Sequence, residues 1–146
     1  MDIGYMQAYD IDWFAKSKSF YLHFASNGSE FPIDLEREDI LYMQDQVAQI
    51  KEEREPRINE QYLYRLLESG RLEATTPERY LASFKIFASK GFYSFDYDYE
   101  ERKYMLVAGP GKSIENEMLG KLKLPFLEDY KEWEKDCIAQ IREFNR

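Results

Sequence analysis

The tightest constraint on this chain is the alternation of bulky rings with carboxylates in two segments. They are Tyr9-Asp10-Ile11-Asp12-Trp13-Phe14 and Phe95-Asp96-Tyr97-Asp98-Tyr99. A period of two is the signature of a strand with one apolar and one polar face. Each segment is followed by a second apolar run, Phe20-Tyr21-Leu22-His23-Phe24 and Tyr104-Met105-Leu106-Val107. Two hairpins are therefore expected, bracketing a helical middle.

In the first hairpin, a tight turn at Lys16-Ser17 sets Trp13 against Phe20, Ile11 against Leu22 and Tyr9 against Phe24, so that the apolar faces coincide. A slip by one residue would mix apolar with charged partners. In the second, a four-residue loop from Tyr99 to Arg102 sets Asp98 against Lys103, Tyr97 against Tyr104 and Phe95 against Leu106.

Between the hairpins, Asp34 is the expected N-cap of a helix carrying Glu36, Glu38 and Asp39 near its positive end. Its buried stripe is Ile40, Met43, Val47 and Ile50, and Glu55-Pro56 ends it. A shorter helix from about Glu60 to Ser69 presents Tyr62, Leu63, Leu66 and Leu67 before Gly70. A third starts at Thr75-Thr76-Pro77-Glu78. Thr75 with Glu78 makes a capping box, whereas Thr76 as cap puts Pro77 at the first helical position. Tyr80, Leu81, Phe84, Phe87 and Ala88 form its apolar face, and Lys90-Gly91 closes it. After a poorly patterned stretch with Met118 and Leu119, Phe126, Tyr130, Trp133, Cys137, Ile141 and Phe144 recur at helical spacing. The order ββαααββα predicts a single α+β domain over residues 1–146, an antiparallel sheet of about four strands packed against helices.

Charge narrows the function. The net charge of −8 excludes the basic footprint that nucleic acid demands and disfavours an anionic membrane surface. No apolar run is long enough to span a bilayer, and the N-terminus has no signal-peptide pattern, so a cytoplasmic protein is expected. The single Cys137 lies in an apolar stripe and reads as inert packing.

Four groups of residues invite a chemical reading. Gly109-Pro110-Gly111-Lys112-Ser113 follows a strand as a phosphate-binding loop does, but Leu106 stands where that motif needs glycine, so a plain turn is expected. Asp10-Ile11-Asp12 resembles the opening of haloacid-dehalogenase-type phosphatases, with Phe14 at the usual threonine or valine position. That family needs a parallel sheet and a longer chain. In the register above, Asp10 falls opposite His23, the only histidine, on the face away from the core. Asp10, Asp12 and His23 are thus the candidates for general-base or metal-dependent hydrolysis. No metal or other cofactor is implied by any motif. Tyr93, Tyr97, Tyr99 and Tyr104, with Asp96 and Asp98, have the composition of a protein-binding patch suited to a basic partner.

The blocks Asp10-Ile11-Asp12-Trp13-Phe14, His23-Phe24-Ala25-Ser26-Asn27-Gly28 and Lys90-Gly91-Phe92-Tyr93-Ser94-Phe95-Asp96 resemble those of a group of small acidic bacterial proteins with no assigned activity. In size and charge the chain is also similar in character to immunity proteins, which neutralise a toxin by covering its active site. The leading expectation is a non-enzymatic interaction module with a basic protein partner. A small hydrolase, and a sensor with an aromatic-lined cavity between sheet and helices, are the alternatives.

Overall fold

The computed structural model describes residues 10–111, 120–127 and 130–146. Tyr9, Lys112, Ser113, Met118 and Leu119 lie outside the described residues. The strands are β1 (Asp12–Lys16), β2 (Tyr21–Ala25), β3 (Pro56–Ile58), β4 (Tyr93–Asp98) and β5 (Lys103–Pro110). The helices are α1 (Arg37–Ala48), α2 (Glu60–Glu68), α3 (Pro77–Ser89) and α4 (Lys131–Phe144). The fold is α+β with the order ββαβααββα. None of the helices is long and apolar enough to cross a membrane, among the described residues.

The sheet corrects the expected topology. It has five strands in the order β1-β2-β4-β5-β3, and it is mixed, because β2 and β4 run parallel while every other pair is antiparallel. The added strand β3 is the Pro56-Arg57-Ile58 segment that the sequence reads only as a helix stop. Gly109 and Pro110 continue β5 to pair with β3 rather than forming a turn. Pro56 is tolerated because β3 is an edge strand, where a missing N–H is harmless.

The second hairpin has the expected register. The first does not: Trp13 lies opposite Phe24 and Phe14 opposite His23. Each strand has moved by two residues, so the apolar faces still coincide and the binary pattern does not distinguish the two registers. The turn decides. Ser17 N–H donates to the Phe20 carbonyl at 2.9 Å, and Phe20 N–H returns to Ser17 Oγ at 3.0 Å, closing a wider loop than Lys16-Ser17 alone.

Caps fix the helices. Glu36, not Asp34, is the N-cap of α1 and makes a reciprocal capping box with Asp39. Thr76 caps α3, accepting from Arg79 N–H, with Pro77 in the first turn. Gly70 and Gly91 follow α2 and α3 with φ of 76° and 108°, the left-handed geometry that glycine adopts without strain. Phe126 lies before α4, in an isolated bridge with Lys16.

Both faces of the sheet are covered. On one, Trp13 stacks on Phe24 at 4.4 Å and on Trp133 of α4 at 5.6 Å, while its indole N–H donates to Tyr104 Oη at 3.2 Å. On the other, Phe14 and His23 meet Phe87 of α3, and Met105, Val107 and Ala108 pack with Tyr62, Leu66, Leu81 and Phe84 from α2 and α3. The edge of β1 is closed by α1 and the segment before α4. Gln44 Nε2 donates to the Asp12 carbonyl, Phe14 N–H to Met43 Sδ, and Lys16 N–H to the Pro125 carbonyl. An unpaired strand edge is thereby removed.

Toward the other edge, Gly109 lets two rings approach the backbone closely. A Cβ there would stand 2.7 Å from Tyr93 Cδ1 and 2.9 Å from Phe144 Cε2. Gly109→Ala is expected to lower stability by about 1–3 kcal/mol through forced repacking of Tyr93 and Phe144. Urea denaturation with an unshifted midpoint would contradict that packing.

Candidate functional site

The carboxylates and histidine of the alternating strands project from the face that α3 covers. The expectation that this face looks away from the core is therefore corrected: His23 is fully buried. Its partner is Asp12, not Asp10, because of the shifted register. His23 Nε2 lies 2.7 Å from Asp12 Oδ1, and Nδ1 lies 2.5 Å from Ser94 Oγ on the neighbouring parallel strand. A neutral imidazole satisfies both contacts if Nε2–H donates to the carboxylate and Ser94 O–H donates to Nδ1.

Asp, His and Ser are the residue types of a nucleophilic triad, yet this geometry does not serve one. Ser94 and His23 have no exposed surface, and the imidazole is stacked on Phe87 at 4.0 Å with Phe14 5.3 Å away. Only the Asp12 side chain, 43% exposed, reaches water. A substrate carbonyl has no approach to Ser94 Oγ, and attack requires near contact. The chain acts as a polar strut that joins β1, β2 and β4 while satisfying groups that burial would otherwise penalise.

Further along the same face, β4 contributes a second cluster. Asp96 accepts from Tyr80 Oη at 2.8 Å. Asp98 accepts from Tyr62 Oη at 2.6 Å, from Arg71 Nη1 at 2.5 Å and from the N–H groups of Glu100 and Glu101. The two aspartates titrate in opposite directions. Burial, together with the nearby charges of Asp10 and Asp98, pushes the Asp96 carboxyl up to about 7, against the opposing effect of the Tyr80 hydrogen bond. Burial acts upward on Asp98 too, but its hydrogen bonds from Tyr62, Glu101 and Arg71 outweigh it and hold that carboxyl below its usual value. Burial likewise raises the Tyr62 and Tyr80 hydroxyls, so both remain donors.

The remaining candidates are dispersed. Asp10 is exposed and accepts from Asn27 N–H. Asp10 and Asp12, the pair that resembles a phosphatase opening, thus serve different partners. Among the described residues, no group of three His, Cys, Asp or Glu side chains is placed to hold a metal ion. The four tyrosines do not make one exposed surface: Tyr104 and Tyr93 are buried, Tyr97 is half-buried and Tyr99 is exposed, its hydroxyl donating to the Asn27 carbonyl. Burial raises the Tyr104 hydroxyl to about 12. Lys103 pairs with Asp136 of α4 instead of Asp98.

An exposed aromatic and acidic surface lies on α1, while Tyr64 and Leu67 of α2 and Tyr99 are exposed as well. Leu41 and Tyr42 are 48% and 53% exposed; the exposed charges on α1 and just before it are Asp34, Glu36, Glu38, Asp39 and Asp45 against Arg37, and the exposed Lys123 stands near Tyr42. The helix lies this way round because Ile40, Met43 and Val47 face inward. Beside Tyr42 is a hollow of about 360 Å³, bounded by Leu35, Asp39, Met43, Lys123, Leu124 and Pro125. The sequence carried the signal: Leu41 and Tyr42 fall between the positions of the buried stripe. Ser94 was legible too, as a small polar residue on the same alternation as Asp96 and Asp98.

Comparison with family models, curated proteins and solved structures finds no match to this chain.

Two outcomes follow from the buried network. His23→Ala is expected to lower stability by about 2–4 kcal/mol, from the cavity and the orphaned Ser94 hydroxyl; an unchanged urea midpoint would contradict the strut. Asp96 stays protonated in the native protein up to about pH 7, whereas the unfolded chain releases that proton near pH 4. Between those values the unfolded state binds fewer protons, so Asp96 makes stability fall as pH rises, by up to about 1.4 kcal/mol per pH unit. Asp98 acts elsewhere, its contribution being lost only as pH falls through its lowered native value. In Asp96→Asn the decline between about pH 4 and 7 should flatten, and urea midpoints across that range measure it; an equal slope in both proteins would refute the buried acid.

Proposed function

We propose that this protein is a non-catalytic interaction module that holds a basic protein partner against the outward face of α1. The observation that carries the reading is the pair Leu41 and Tyr42, two large side chains left half in water on a helix whose exposed charged residues are mostly carboxylates. Apolar anchors enclosed by charge are the composition of a binding centre with a solvated rim. The carboxylates, reinforced by the net charge of −8, draw a basic surface toward the helix and favour fast encounter. The hollow beside Tyr42 gives an incoming side chain an apolar wall, with Asp39 and Lys123 both among its lining.

An inhibitor of the immunity type is one form of this activity: it would cover a basic active site on a toxin and needs no chemistry of its own. The resemblance to small acidic bacterial proteins is compatible with that role. The closed setting of Ser94 and His23 weighs against the hydrolase alternative.

The immobilised protein should retain a basic partner in stoichiometric amount from cell lysate at about 50 mM salt, and much less at about 500 mM, where the Debye length has shrunk several-fold. A Leu41→Glu, Tyr42→Ala variant, altered only at exposed positions, should lose capture while its melting temperature stays within a few degrees. No stoichiometric partner for the wild type, or equal capture by the variant, would overturn the reading.

A further inference from the structure

At the sheet edge remote from α1, β3, the start of α2 and the C-terminal half of α4 enclose a cleft of about 510 Å³. That is the size of pockets that take small organic molecules. Its character departs from the rest of the chain. The protein carries 28 acidic against 20 basic side chains, yet the charged residues lining this cleft are Arg57, Arg65 and Arg146 against Glu60 and Glu143.

The arginines are not equivalent. Arg146 Nη1 donates to Glu143 at 2.8 Å, so that pair is neutral. Arg57 has no carboxylate within 4 Å among the described residues. Its Nη2 donates to the Phe144 carbonyl at 2.9 Å and to Asn145 Oδ1 at 2.8 Å, and its guanidinium lies 3.8 Å from the centroid of the Phe144 ring. The plane of the guanidinium is thus held, with Nε and Nη1 left as donors. The two remaining donors lie on different edges of the guanidinium, so each offers an oxyanion a single charge-assisted hydrogen bond rather than a two-point fork. Arg65 also lines the cleft, 5.6 Å from the Tyr62 ring centroid and ion-paired with Glu101 at 3.4 Å.

The backbone contributes partial positive charge. Asn59 occupies the N-cap of α2 but spends its side chain elsewhere, donating to the Leu106 carbonyl at 2.9 Å. The first intrahelical bond runs from Leu63 N–H to the Asn59 carbonyl, so the N–H groups of Glu60, Gln61 and Tyr62 precede the helix ladder. All three residues line the cleft, and the helix dipole directs its positive end there. Met105, Ile58 and Phe144 supply apolar wall.

We propose that this cleft is a binding site for a small organic oxyanion, a carboxylate or phosphate monoester carried on an apolar body, gripped by Arg57 and Arg65. The site is independent of the α1 surface and lies at the opposite edge of the sheet. Glu60, in the first turn of α2, sets its selectivity: it repels any ligand whose negative charge extends beyond the arginines.

The test is calorimetric titration of the full chain with phenyl phosphate, benzoate and uncharged benzyl alcohol. Saturable one-to-one binding of at least one anion is expected, at least about tenfold tighter than benzyl alcohol, a difference of about 1.4 kcal/mol. Phenyl phosphate alone binding identifies the ligand class as phosphate, and benzoate alone identifies carboxylate. Arg57→Gln should weaken the bound anion at least tenfold. Because Arg57 also ties down the end of α4, Arg65→Gln, at a largely exposed position, is the second variant, expected to weaken binding several-fold with an unchanged melting temperature. Absence of saturable binding of both anions up to about 10 mM, or affinity unchanged in Arg65→Gln, would overturn the proposal.

Discussion

A sheet that is covered on both faces cannot leave its polar alternation in water. The parallel pairing of β2 with β4 sets His23 beside Ser94, and α3 closes over them. From that moment each polar group on this face needs a partner inside the protein. His23 is satisfied by Asp12 and Ser94, Asp96 by Tyr80, and Asp98 by Tyr62 and Arg71. These contacts tie three neighbouring strands and two helices together. They also explain why the residues with the most chemical promise are structural: their hydrogen-bonding capacity is used within the core, and solvent reaches only the Asp12 end of the relay.

The apolar face is built differently. Trp13, Phe24, Tyr104 and Trp133 interlock through stacked and edge contacts, and the Trp13 indole N–H is matched to the Tyr104 phenol oxygen. Aromatic pairs of this kind contribute beyond their buried area. The chain thus spends most of its aromatic excess in the interior. Among the described residues, Leu41, Tyr42, Tyr64, Leu67, Ile86, Tyr99, Phe126 and Tyr130 remain exposed. Leu41 and Tyr42 stand among carboxylates at one edge of the sheet, while Arg57 and Arg65 border a cleft at the other. The exposed charges of α1 are mostly carboxylates, whereas three arginines and two glutamates line the cleft at the opposite edge.

Much of this was legible locally. The register of the second hairpin followed from matching Phe95 with Leu106 and Tyr97 with Tyr104, and the limits of α2 and α3 from Gly70, Thr76, Pro77 and Gly91. The first hairpin was misread because shifting both strands by two residues leaves the apolar faces aligned, and the hydrogen bonds of Ser17 decide between the registers. Strand β3 carries only three residues between a Glu-rich stretch and a helix, too few to show a period. The parallel β2–β4 contact joins residues about seventy positions apart, and no local pattern encodes it. The burial of His23 depended on that contact and on the placement of α3, so the alternation of Asp10, Asp12, Asp96 and Asp98 looked like a solvated face. The expected tyrosine patch failed for a related reason, since Tyr93 and Tyr104 share the buried side with Phe95 and Leu106.

The account stands on the claim that the polar face of the sheet is sealed, and the only histidine reports on it. Native protein treated with diethyl pyrocarbonate, which acylates accessible imidazole, should remain unmodified at His23 by mass spectrometry until urea unfolds it. Rapid modification of His23 under native conditions would mean that the imidazole is open to reagents, and the sealed polar face would be wrong.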